Sequence, residues 1–343
     1  MSTILTICIP TYNRADYLVR CLDSIFNQNT NNRQHLFEVA VFDNCSTDIT
    51  SEVVDNYANR DIPFNFFTST QNWGPDINIG KCYLYSKSKY VWVLGDDDLI
   101  LPGCLNHVLD IITQGEFGIV FLNSYGFKKD HIAERPKLIK PEKTYEYTGE
   151  QILKKMTSNV SFISGNIVNT KFINEVDVKS TTGTYLNQMP GILNAIVQSD
   201  RNIYINKYYL AQQGENSTSY KYFTVFGNNF PQIFNQYIAQ KKHRRWVYNQ
   251  LMITTFPIQL LNSRRSIKSD LEKNAYDILK PYYGNYILFW IFVYPIIYFP
   301  YPLAVVYTFF VRIFGKFYSM INLLSGEKGF EKVIANDKVS WHS

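Results

Sequence analysis

The chain has 343 residues, of which 46% are hydrophobic, 16% aromatic and 18% charged, and its formal net charge is +5. This composition excludes a disordered chain and a small scaffold that needs disulfides, because it supplies enough apolar side chains to bury a large core. The mild charge, which is not concentrated in a long basic run, predicts no nucleic-acid partner.

The first part of the chain alternates between strand and helix patterns. Short apolar runs of strand length are each followed by apolar residues at helical spacing. The predicted strands are residues 4–9, 37–42, 64–68, 90–94 and 119–122. Repeated strand–helix units of this kind indicate a mostly parallel sheet with helices on both faces.

Polar residues follow each of the first four predicted strands. They occupy positions 11–14, 43–48, 71–74 and 96–98. Because ligands of such sheets bind beyond the carboxyl ends of the strands, we expect these four groups to meet on one rim. Three adjacent carboxylates after an apolar strand repel one another unless a cation or solvent relieves them. Since oxygen ligands suit magnesium-like ions, Asp96, Asp97 and Asp98 are predicted metal ligands.

Each polar group also has a purely structural interpretation. The acidic triplet could form an exposed turn in which Asp98 caps a helix. Ser46 and Asp48 could cap the second helix, and Asn13 could cap the first. The meeting of four polar groups on one rim favours a binding site over these separate explanations.

The C-terminal part has a different character. Periodicity weakens over residues 123–216, and residues 229–279 are more helical. Residues 281–311 contain no charged side chain and are crowded with aromatics, but three prolines interrupt them. With basic residues on both flanks, this segment predicts a re-entrant hairpin or interfacial helices at a membrane surface. A buried helical pair or a dimer interface is the alternative.

Two features concern the cellular compartment. The five cysteines are odd in number and form no CxxC pair, which favours reduced thiols over disulfides or a zinc site. The chain enters its first apolar strand directly, without the pattern of a signal peptide, so the catalytic portion is expected in the cytoplasm.

Four motifs in this order and spacing resemble glycosyltransferase family two, of the bacterial O-antigen and polysaccharide type, which has the GT-A fold. They are CIPTYNR at 8–14, FDNCSTD at 42–48, NWG at 72–74 and LGDDD at 94–98. The resemblance covers residues 1–125 well and the next hundred loosely. It implies an α/β fold, the Rossmann-like GT-A fold of nucleotide-diphospho-sugar transferases, with a helical, partly membrane-associated C-terminal extension.

The resemblance also implies a division of the chain. Residues 1–220 would form the GT-A domain, with a donor half at 1–125 and an acceptor half at 126–220. Residues 221–343 would form the helical C-terminal region, which carries the aromatic segment 281–311.

The resemblance implies a nucleotide-sugar site with a Mn²⁺ or Mg²⁺ cofactor. Its residues would be Pro10, Thr11, Tyr12, Arg14, Asp43, Asn44, Ser46, Asn72, Gly74, Asp96 and Asp97. Asp43 would face a pyrimidine base, and the acidic triplet would hold the metal and the diphosphate. Alignment on Leu94 makes Asp97 the metal ligand, assisted by Asp96 or Asp98. Alignment on Asp96-x-Asp98 is the competing register.

The catalytic base is an open question at this point. Family members that invert the anomeric centre usually carry a Glu-Asp pair on the acceptor side, whose Asp removes the proton of the acceptor hydroxyl. Residues 183–191 contain no carboxylate here. Asp97 keeps a catalytic role through the metal, and Asp177, Asp200 and Glu215 are the candidate bases.

A narrower resemblance concerns the substrates. Gly-Asp-Asp-Asp together with Asn-Trp-Gly-Pro-Asp is similar to the branch that adds dideoxyhexoses such as abequose to O-antigen units. It implies a CDP-sugar donor, with UDP-, GDP- and dTDP-sugars left open. It also implies an acceptor saccharide on a polyprenyl diphosphate lipid, at the cytoplasmic face of the inner membrane, which would explain the aromatic segment 281–311.

Rival functions belong to other classes. A nucleotidyltransferase or a dinucleotide-dependent dehydrogenase would usually carry a glycine-rich phosphate loop near the first strand, and residues 10–14 contain no glycine. A non-catalytic protein that binds sugar nucleotides or glycans is favoured by the missing Glu-Asp pair. Binding without turnover would distinguish it.

Overall fold

A mixed sheet of ten strands forms the centre of the molecule in the computed structural model, which describes residues 3–136, 143–214, 222–265, 274–325 and 332–334. The strands are β1 (Leu5–Thr11), β2 (Phe37–Asp43), β3 (Phe64–Thr68), β4 (Tyr90–Val93), β5 (Leu99–Ile100), β6 (Ile119–Phe127), β7 (Thr144–Tyr147), β8 (Asn166–Asn169), β9 (Asn202–Gln213) and β10 (Lys332–Ile334). Their spatial order is β10-β7-β9-β6-β8-β4-β1-β2-β3, and β5 pairs with β9.

Helices cover both faces of this sheet. They are α1 (Ala15–Phe26), α2 (Thr50–Asp55), α3 (Pro75–Tyr85), α4 (Cys104–Gln114), α5 (Leu153–Met156), α6 (Glu175–Ser180), α7 (Met189–Gln198), α8 (Phe230–Tyr237), α9 (Lys241–Gln250), α10 (Phe256–Arg265), α11 (Ala275–Tyr283), α12 (Tyr294–Tyr298) and α13 (Tyr301–Ser325). Short 3₁₀ turns lie at Gln34–Leu36, Gly149–Ile152, Thr157–Ser161, Ile163–Gly165 and Thr170–Phe172, and π-helical turns at Thr224–Asn229, Leu251–Thr255 and Phe289–Val293.

The first four strands run parallel, as predicted. β1 pairs with β2 on one side and with β4 on the other, and β2 pairs with β3. The sheet as a whole is mixed rather than mostly parallel, because β8 runs antiparallel between β4 and β6. β8 lies in the stretch where the sequence periodicity weakens, so the pattern gave no sign of it.

Alternation along the strands explains why the sheet is covered on both faces. Ile7, Ile9 and Trp92 pack on one face in a cluster with α1 and α4, while Cys8 and Val93 pack on the other in a cluster with α7. All five side chains are completely buried. Strands that are buried on both faces read as continuous apolar runs, which is the pattern seen in the sequence.

The C-terminal helices extend the second of these clusters. Phe230, Phe256 and Tyr283 are buried in it together with Ile192 and Leu193 of α7. The C-terminal helices therefore pack on the sheet domain through a common core, and the division of the chain at residues 125 and 220 stays a prediction.

The aromatic segment 281–311 is helical but not one continuous helix, and two of its three helices begin next to a proline. α11 ends at Tyr283, α12 begins next to Pro295, and α13 begins next to Pro302. Its side chains divide, since Phe289 and Val293 are buried while Trp290 and Ile291 are exposed. Of the helices in the described ranges, none combines the length and the apolar character that a bilayer crossing requires.

Gly118, just before β6, has less room for a Cβ atom than any other glycine of the described residues. A Cβ atom added there would lie 2.3 Å from the backbone oxygen of Ala195 and 2.6 Å from Oδ1 of Asn202. We expect Gly118→Ala to lower the free energy of unfolding by about 2–3 kcal/mol, because the end of α7 must shift to admit the methyl group. Urea denaturation monitored by circular dichroism measures this change.

Gly126 provides the matched control for this substitution. It lies in β6 itself, and a Cβ atom added there would meet nothing closer than 4.0 Å. Gly126→Ala should change the free energy of unfolding by less than about 0.5 kcal/mol. Equal effects of the two substitutions would contradict the close approach at Gly118.

Candidate active site

Three strand ends meet on one rim of the sheet. Thr11 ends β1 and lies in register with Asp43, which ends β2. The Thr11 hydroxyl donates a hydrogen bond to Oδ2 of Asp96, just beyond β4, at 2.8 Å. Thr11, Asp43 and Asp96 are all buried. The polar groups that the sequence predicted to converge therefore do so.

Arg14 joins the acidic triplet to the beginning of α1. Its guanidinium lies 3.0 Å from Oδ1 of Asp96 and 2.6 Å from Oδ2 of Asp97. The Arg14 side chain is 34% exposed and the Asp97 side chain 16% exposed, so this pair borders solvent. One cationic group thus already bridges two of the three carboxylates.

Asp98 is held by a different set of groups. The Ser164 hydroxyl donates to its Oδ2 at 2.6 Å, and the backbone N–H of Gln213 donates to its Oδ1 at 3.3 Å. Asp98 is 4% exposed. The alternative of an exposed turn with Asp98 as a helix cap is therefore wrong, because this carboxylate is buried and bound across the sheet.

The surroundings change the acidity of these carboxyls. Burial raises the pKa of Asp96 to about 7, and the Arg14 guanidinium offsets only part of that effect. Burial also raises the pKa of Asp98, and the neighbouring charge of Asp97 raises it further. A cation that approached this rim would favour the ionised forms and release protons.

The turn after β2 is fastened to the turn after β1. The Ser46 backbone N–H and hydroxyl donate to the Asp43 carboxylate at 3.1 and 2.5 Å. Ser46 Oγ in turn accepts from the Asn13 N–H at 2.8 Å, and Asn13 Oδ1 accepts from the Thr47 N–H at 2.7 Å. Asp43 is therefore fixed at the rim from both sides.

Helix capping is distributed differently from what the sequence suggested. Asp48 Oδ2 accepts from the Ala15 N–H of α1 at 3.0 Å, while its Oδ1 accepts from the Thr50 N–H of α2 at 3.1 Å. A single carboxylate thus serves the beginnings of two helices. Asn13 and Ser46 cap neither helix, because they bond to each other's turns instead.

Asn72 and Trp73, just before α3, bind to Asn44, which follows Asp43 in the chain. Asn72 Oδ1 accepts from Asn44 Nδ2 at 2.7 Å and from the Gly74 N–H at 2.8 Å. The Trp73 N–H donates to Asn44 Oδ1 at 3.0 Å, and the Trp73 side chain is 46% exposed. Gly74 has a φ of +84°, a left-handed conformation that favours glycine.

Two further residues of the predicted nucleotide site lie on the same rim. Pro10 belongs to β1 and is half-buried, and Tyr12 follows the strand with its side chain 40% exposed. Every residue of the predicted nucleotide site is thus described, and all of them belong to the strand ends and turns of this rim. Their roles toward a nucleotide stay predictions.

The candidate bases lie in different places. Asp177 of α6 is half-buried, and its Oδ2 accepts from Asn194 Nδ2 at 3.0 Å. Asp200 is exposed and precedes β9, which runs in the same direction as β6 and β4. It therefore lies at the opposite edge of the sheet, which argues against Asp200 as the base. Glu215 lies outside the described residues.

The three carboxylates of the acidic triplet lie in different surroundings, and their role as metal ligands stays a prediction. Within the described ranges, no group of three or more His, Cys, Asp or Glu side chains is arranged to hold a metal ion. Asp98 is bound by Ser164 and the Gln213 N–H, whereas Asp96 and Asp97 approach the same guanidinium. Because those two already share one cationic group, they fit a divalent cation as a pair of hard oxygen ligands.

Three contacts of this region were not found by reasoning from the sequence. Ser164 and Gln213 reach Asp98 from 66 and 115 positions away, and Asp76 reaches Gly183 across 107 positions. The sequence contains one local indication of these contacts, which is that Asp76 lies in the first turn of α3. By itself this position indicates only a favourable interaction with the helix dipole.

Comparison with known proteins identifies relatives of this domain. The model of the family "Glycosyl transferase family 2" matches residues 6–174. Abequosyltransferase RfbV of Salmonella typhimurium is 37% identical over 103 residues, which cover 30% of this chain and 30% of that protein. The GalNAc(5)-diNAcBac-PP-undecaprenol beta-1,3-glucosyltransferase of Campylobacter jejuni is 30% identical over 132 residues, which cover 38% of this chain and 41% of that protein. The chain thus covers less than half the length of either relative.

A solved structure extends the likeness to most of the chain. The complex of a fragment of S. aureus TarS with UDP-GlcNAc is similar with a TM-score of 0.59 and 15% identity, covering 95% of this chain and 92% of that one. At this identity the likeness concerns the fold, and it confirms the predicted GT-A architecture with a helical C-terminal region. In residues 6–174 the chain therefore carries a glycosyl transferase family 2 domain.

Proposed function

We propose that this protein transfers a sugar from a nucleotide-sugar donor to a hydroxyl group of a lipid-linked saccharide in surface polysaccharide synthesis. The observation that carries the proposal is the shared rim. Asp43 ends β2 and the Asp96–Asp97 pair follows β4, and these two strands flank β1. Thr11 binds Asp96, and Arg14 binds both members of the pair. A protein that binds a nucleotide diphosphate needs two groups on one surface, one that binds the base and one that binds the phosphates.

The diphosphate side of the rim rests on charge. Asp96 and Asp97 would hold Mn²⁺ or Mg²⁺. When bound, this cation neutralises the negative charge of the departing diphosphate. Arg14 is partly exposed and cationic, so its guanidinium would bind a phosphate oxygen from the protein side. The Thr11 hydroxyl keeps Asp96 oriented toward this position.

The base side of the rim rests on Asp43. Its carboxylate accepts from the Ser46 N–H and hydroxyl, and an ionised carboxylate has about four lone-pair sites. It would therefore accept one more hydrogen bond, from the amino group of cytosine or the ring N–H of uracil. The likeness to an abequosyltransferase supports a CDP-sugar as donor.

The acceptor side of the proposal rests on the C-terminal helices. α13 packs Ala304, Thr308 and Val311 inward, yet its opposite side is also apolar. This α13 outer face consists of Leu303, Val305, Val306, Phe309, Phe310, Ile313, Phe314 and Phe317, each at least 40% exposed. A helix that faces water normally presents polar residues there, so this face fits the apolar layer of a membrane.

Charge favours a membrane over a second copy of the chain as the partner of this face. Between Asp277 and Glu327 there is no acidic residue, whereas Lys280, Arg312 and Lys316 are basic. A second copy would bring the same excess of cations to the contact, while anionic lipid neutralises them. We therefore place the protein at the cytoplasmic face of the inner membrane, as a peripheral enzyme acting on a polyprenyl-diphosphate-linked glycan.

The donor test is a thermal-shift screen of CDP-, UDP-, GDP- and dTDP-sugars with Mn²⁺ or Mg²⁺, because a ligand of the folded state raises its stability. In Asp97→Ala, the metal-dependent part of the thermal shift should disappear. Sugar transfer should fall at least about 100-fold, because the variant loses a ligand of the cation that neutralises the diphosphate. Asp110→Ala is the control, because Asp110 is exposed and pairs only with Arg33 among the ion pairs of the described residues. A full metal-dependent shift in Asp97→Ala would contradict the proposed ligand role.

The buried carboxyl Asp98 predicts a pH effect on stability. Its folded-state pKa lies above the unfolded value of about 4, so the folded protein binds more protons and loses stability as pH rises. Asp98→Asn keeps the shape without the charge. We expect the melting temperature of this variant, relative to wild type, to increase between about pH 5 and about pH 8.5 in metal-free buffer. A difference that is constant or falls with pH would contradict a raised pKa.

The α13 outer face predicts binding to lipid. Phe309 and Phe310 are 60% and 62% exposed, and their replacement by Ser in a double variant should weaken sedimentation with phosphatidylglycerol-containing vesicles at least about tenfold. The matched control is Ile132→Ser with Val176→Ser, which removes two exposed apolar side chains elsewhere. Equal binding of both double variants would contradict docking through α13.

A further inference from the structure

Asp76 links α3 to residues 181–187 through its carboxylate. It lies in the first turn of α3, and its Oδ2 accepts hydrogen bonds from the backbone N–H groups of Gly183 at 2.7 Å and Tyr185 at 2.8 Å. Its backbone oxygen accepts from Asn187 Nδ2 at 2.8 Å. Residues 181–187, here the acceptor-side loop, are therefore fastened to α3 at three points.

The acceptor-side loop has a conformation that needs such support. Gly183 has a φ of +90° and Tyr185 a φ of +61°. A left-handed conformation is unfavourable for a tyrosine, and it persists only where the surroundings fix it. The backbone N–H groups of these same two residues donate to Asp76. The carboxylate therefore stabilises the left-handed conformation of the loop as well as its position.

The other end of the connection lies on the donor rim. α3 begins directly after Gly74, which is bound to Asn72, and Asn72 is bound to Asn44 beside Asp43. A continuous path of hydrogen bonds and one helical turn therefore runs from the end of β2 to the acceptor-side loop. On its far side the loop is held by the C-terminal region, since Asn229 Nδ2 donates to the Thr184 oxygen at 3.2 Å.

We propose that Asp76 is a positioning residue, which sets the acceptor-side loop at the correct distance from the donor rim so that the loop binds the acceptor saccharide. The inference rests on the proposed function. Asp76 is 7% exposed, and its Oδ1 is buried without a hydrogen-bond partner among the described residues. Being buried, it acts through the loop, whose Tyr185 side chain is 40% exposed.

The geometry makes Asp76→Asn a conservative variant. An asparagine can place its carbonyl oxygen where Oδ2 lies and its NH₂ group where the unengaged Oδ1 lies, so it keeps both loop bonds without the charge. Asp76→Ala removes both bonds. Glu52→Ala is the matched control, because Glu52 is also an acidic residue in the first turn of a helix and is exposed.

The first measurement needs no substrate. Hydrogen exchange of the full chain, read out on peptides that cover residues 181–187, should be at least about tenfold faster in Asp76→Ala, because two hydrogen bonds to a carboxylate are lost. Asp76→Asn should stay within about threefold of wild type, and Glu52→Ala should match wild type. If Asp76→Ala does not fold, Asp76→Ser takes its place, since its shorter side chain also removes both bonds.

The second measurement separates positioning from donor binding. With octyl glycosides as acceptor probes, Asp76→Ala should raise the acceptor KM or lower kcat by about tenfold or more, while the thermal shifts caused by CDP or UDP with Mn²⁺ stay unchanged. Asp76→Asn should restore most of the transfer. Failure of every nucleotide to shift even wild type would refute the proposed function and leave the exchange result to decide on Asp76.

Two results would overturn the inference. Unchanged exchange and unchanged transfer in Asp76→Ala would show that the carboxylate does not hold the loop. Loss of transfer in Asp76→Asn equal to that in Asp76→Ala, with the loop still protected from exchange, would show that the negative charge itself acts in the reaction, and Asp76 would then be more than a positioning residue.

Discussion

The pairing of one guanidinium with two carboxylates is the interaction on which the candidate site depends. Asp96 is buried at a strand end, where an ionised carboxyl is strongly disfavoured without compensation. Arg14 and the Thr11 hydroxyl supply part of that compensation from the β1 side, although the pKa of Asp96 stays raised. Because Arg14 immediately precedes α1, this contact lies at the beginning of that helix.

The acidic triplet also joins two parts of the sheet that differ in strand direction. Asp96 is held from β1, whereas Asp98 is held by Ser164, just before β8, and by the end of β9. β8 runs antiparallel to β4, so it brings its beginning to the edge where β4 ends. The departure from an all-parallel sheet thus supplies Ser164, which binds Asp98, whereas Gln213 reaches the same carboxylate from the end of the parallel strand β9.

What the sequence predicted and what it missed follow from how far apart the partners are in the chain. Five of the six strands that begin in the first 125 residues, all except the two-residue β5, followed from local periodicity. The meeting of Thr11 with Asp96 followed from the rule that parallel strand ends share an edge. The contacts of Asp98 with Ser164 and of Asp76 with Gly183 did not, because 66 and 107 residues separate the partners and no local pattern relates them. The hydrogen bonds that Asn13 and Ser46 make were missed for the opposite reason. Each residue lies close before a helix, so capping of that helix was the simpler prediction. In the folded protein it is Asp48 that accepts hydrogen bonds from the first N–H groups of both helices.

The C-terminal helices and the acceptor-side loop belong to one packed body, which bears on how a lipid-linked substrate would be used. Ala304 on the inner side of α13 lies in the same apolar cluster as Ile192 of α7, and α7 directly follows the acceptor-side loop. Asn229 adds a hydrogen bond from that region to the loop. Because protein interiors are closely packed and hardly compressible, elements that share a core keep nearly fixed positions relative to one another. A membrane that binds the α13 outer face would therefore be held at a fixed distance from the loop that we propose as the binding site of its glycan.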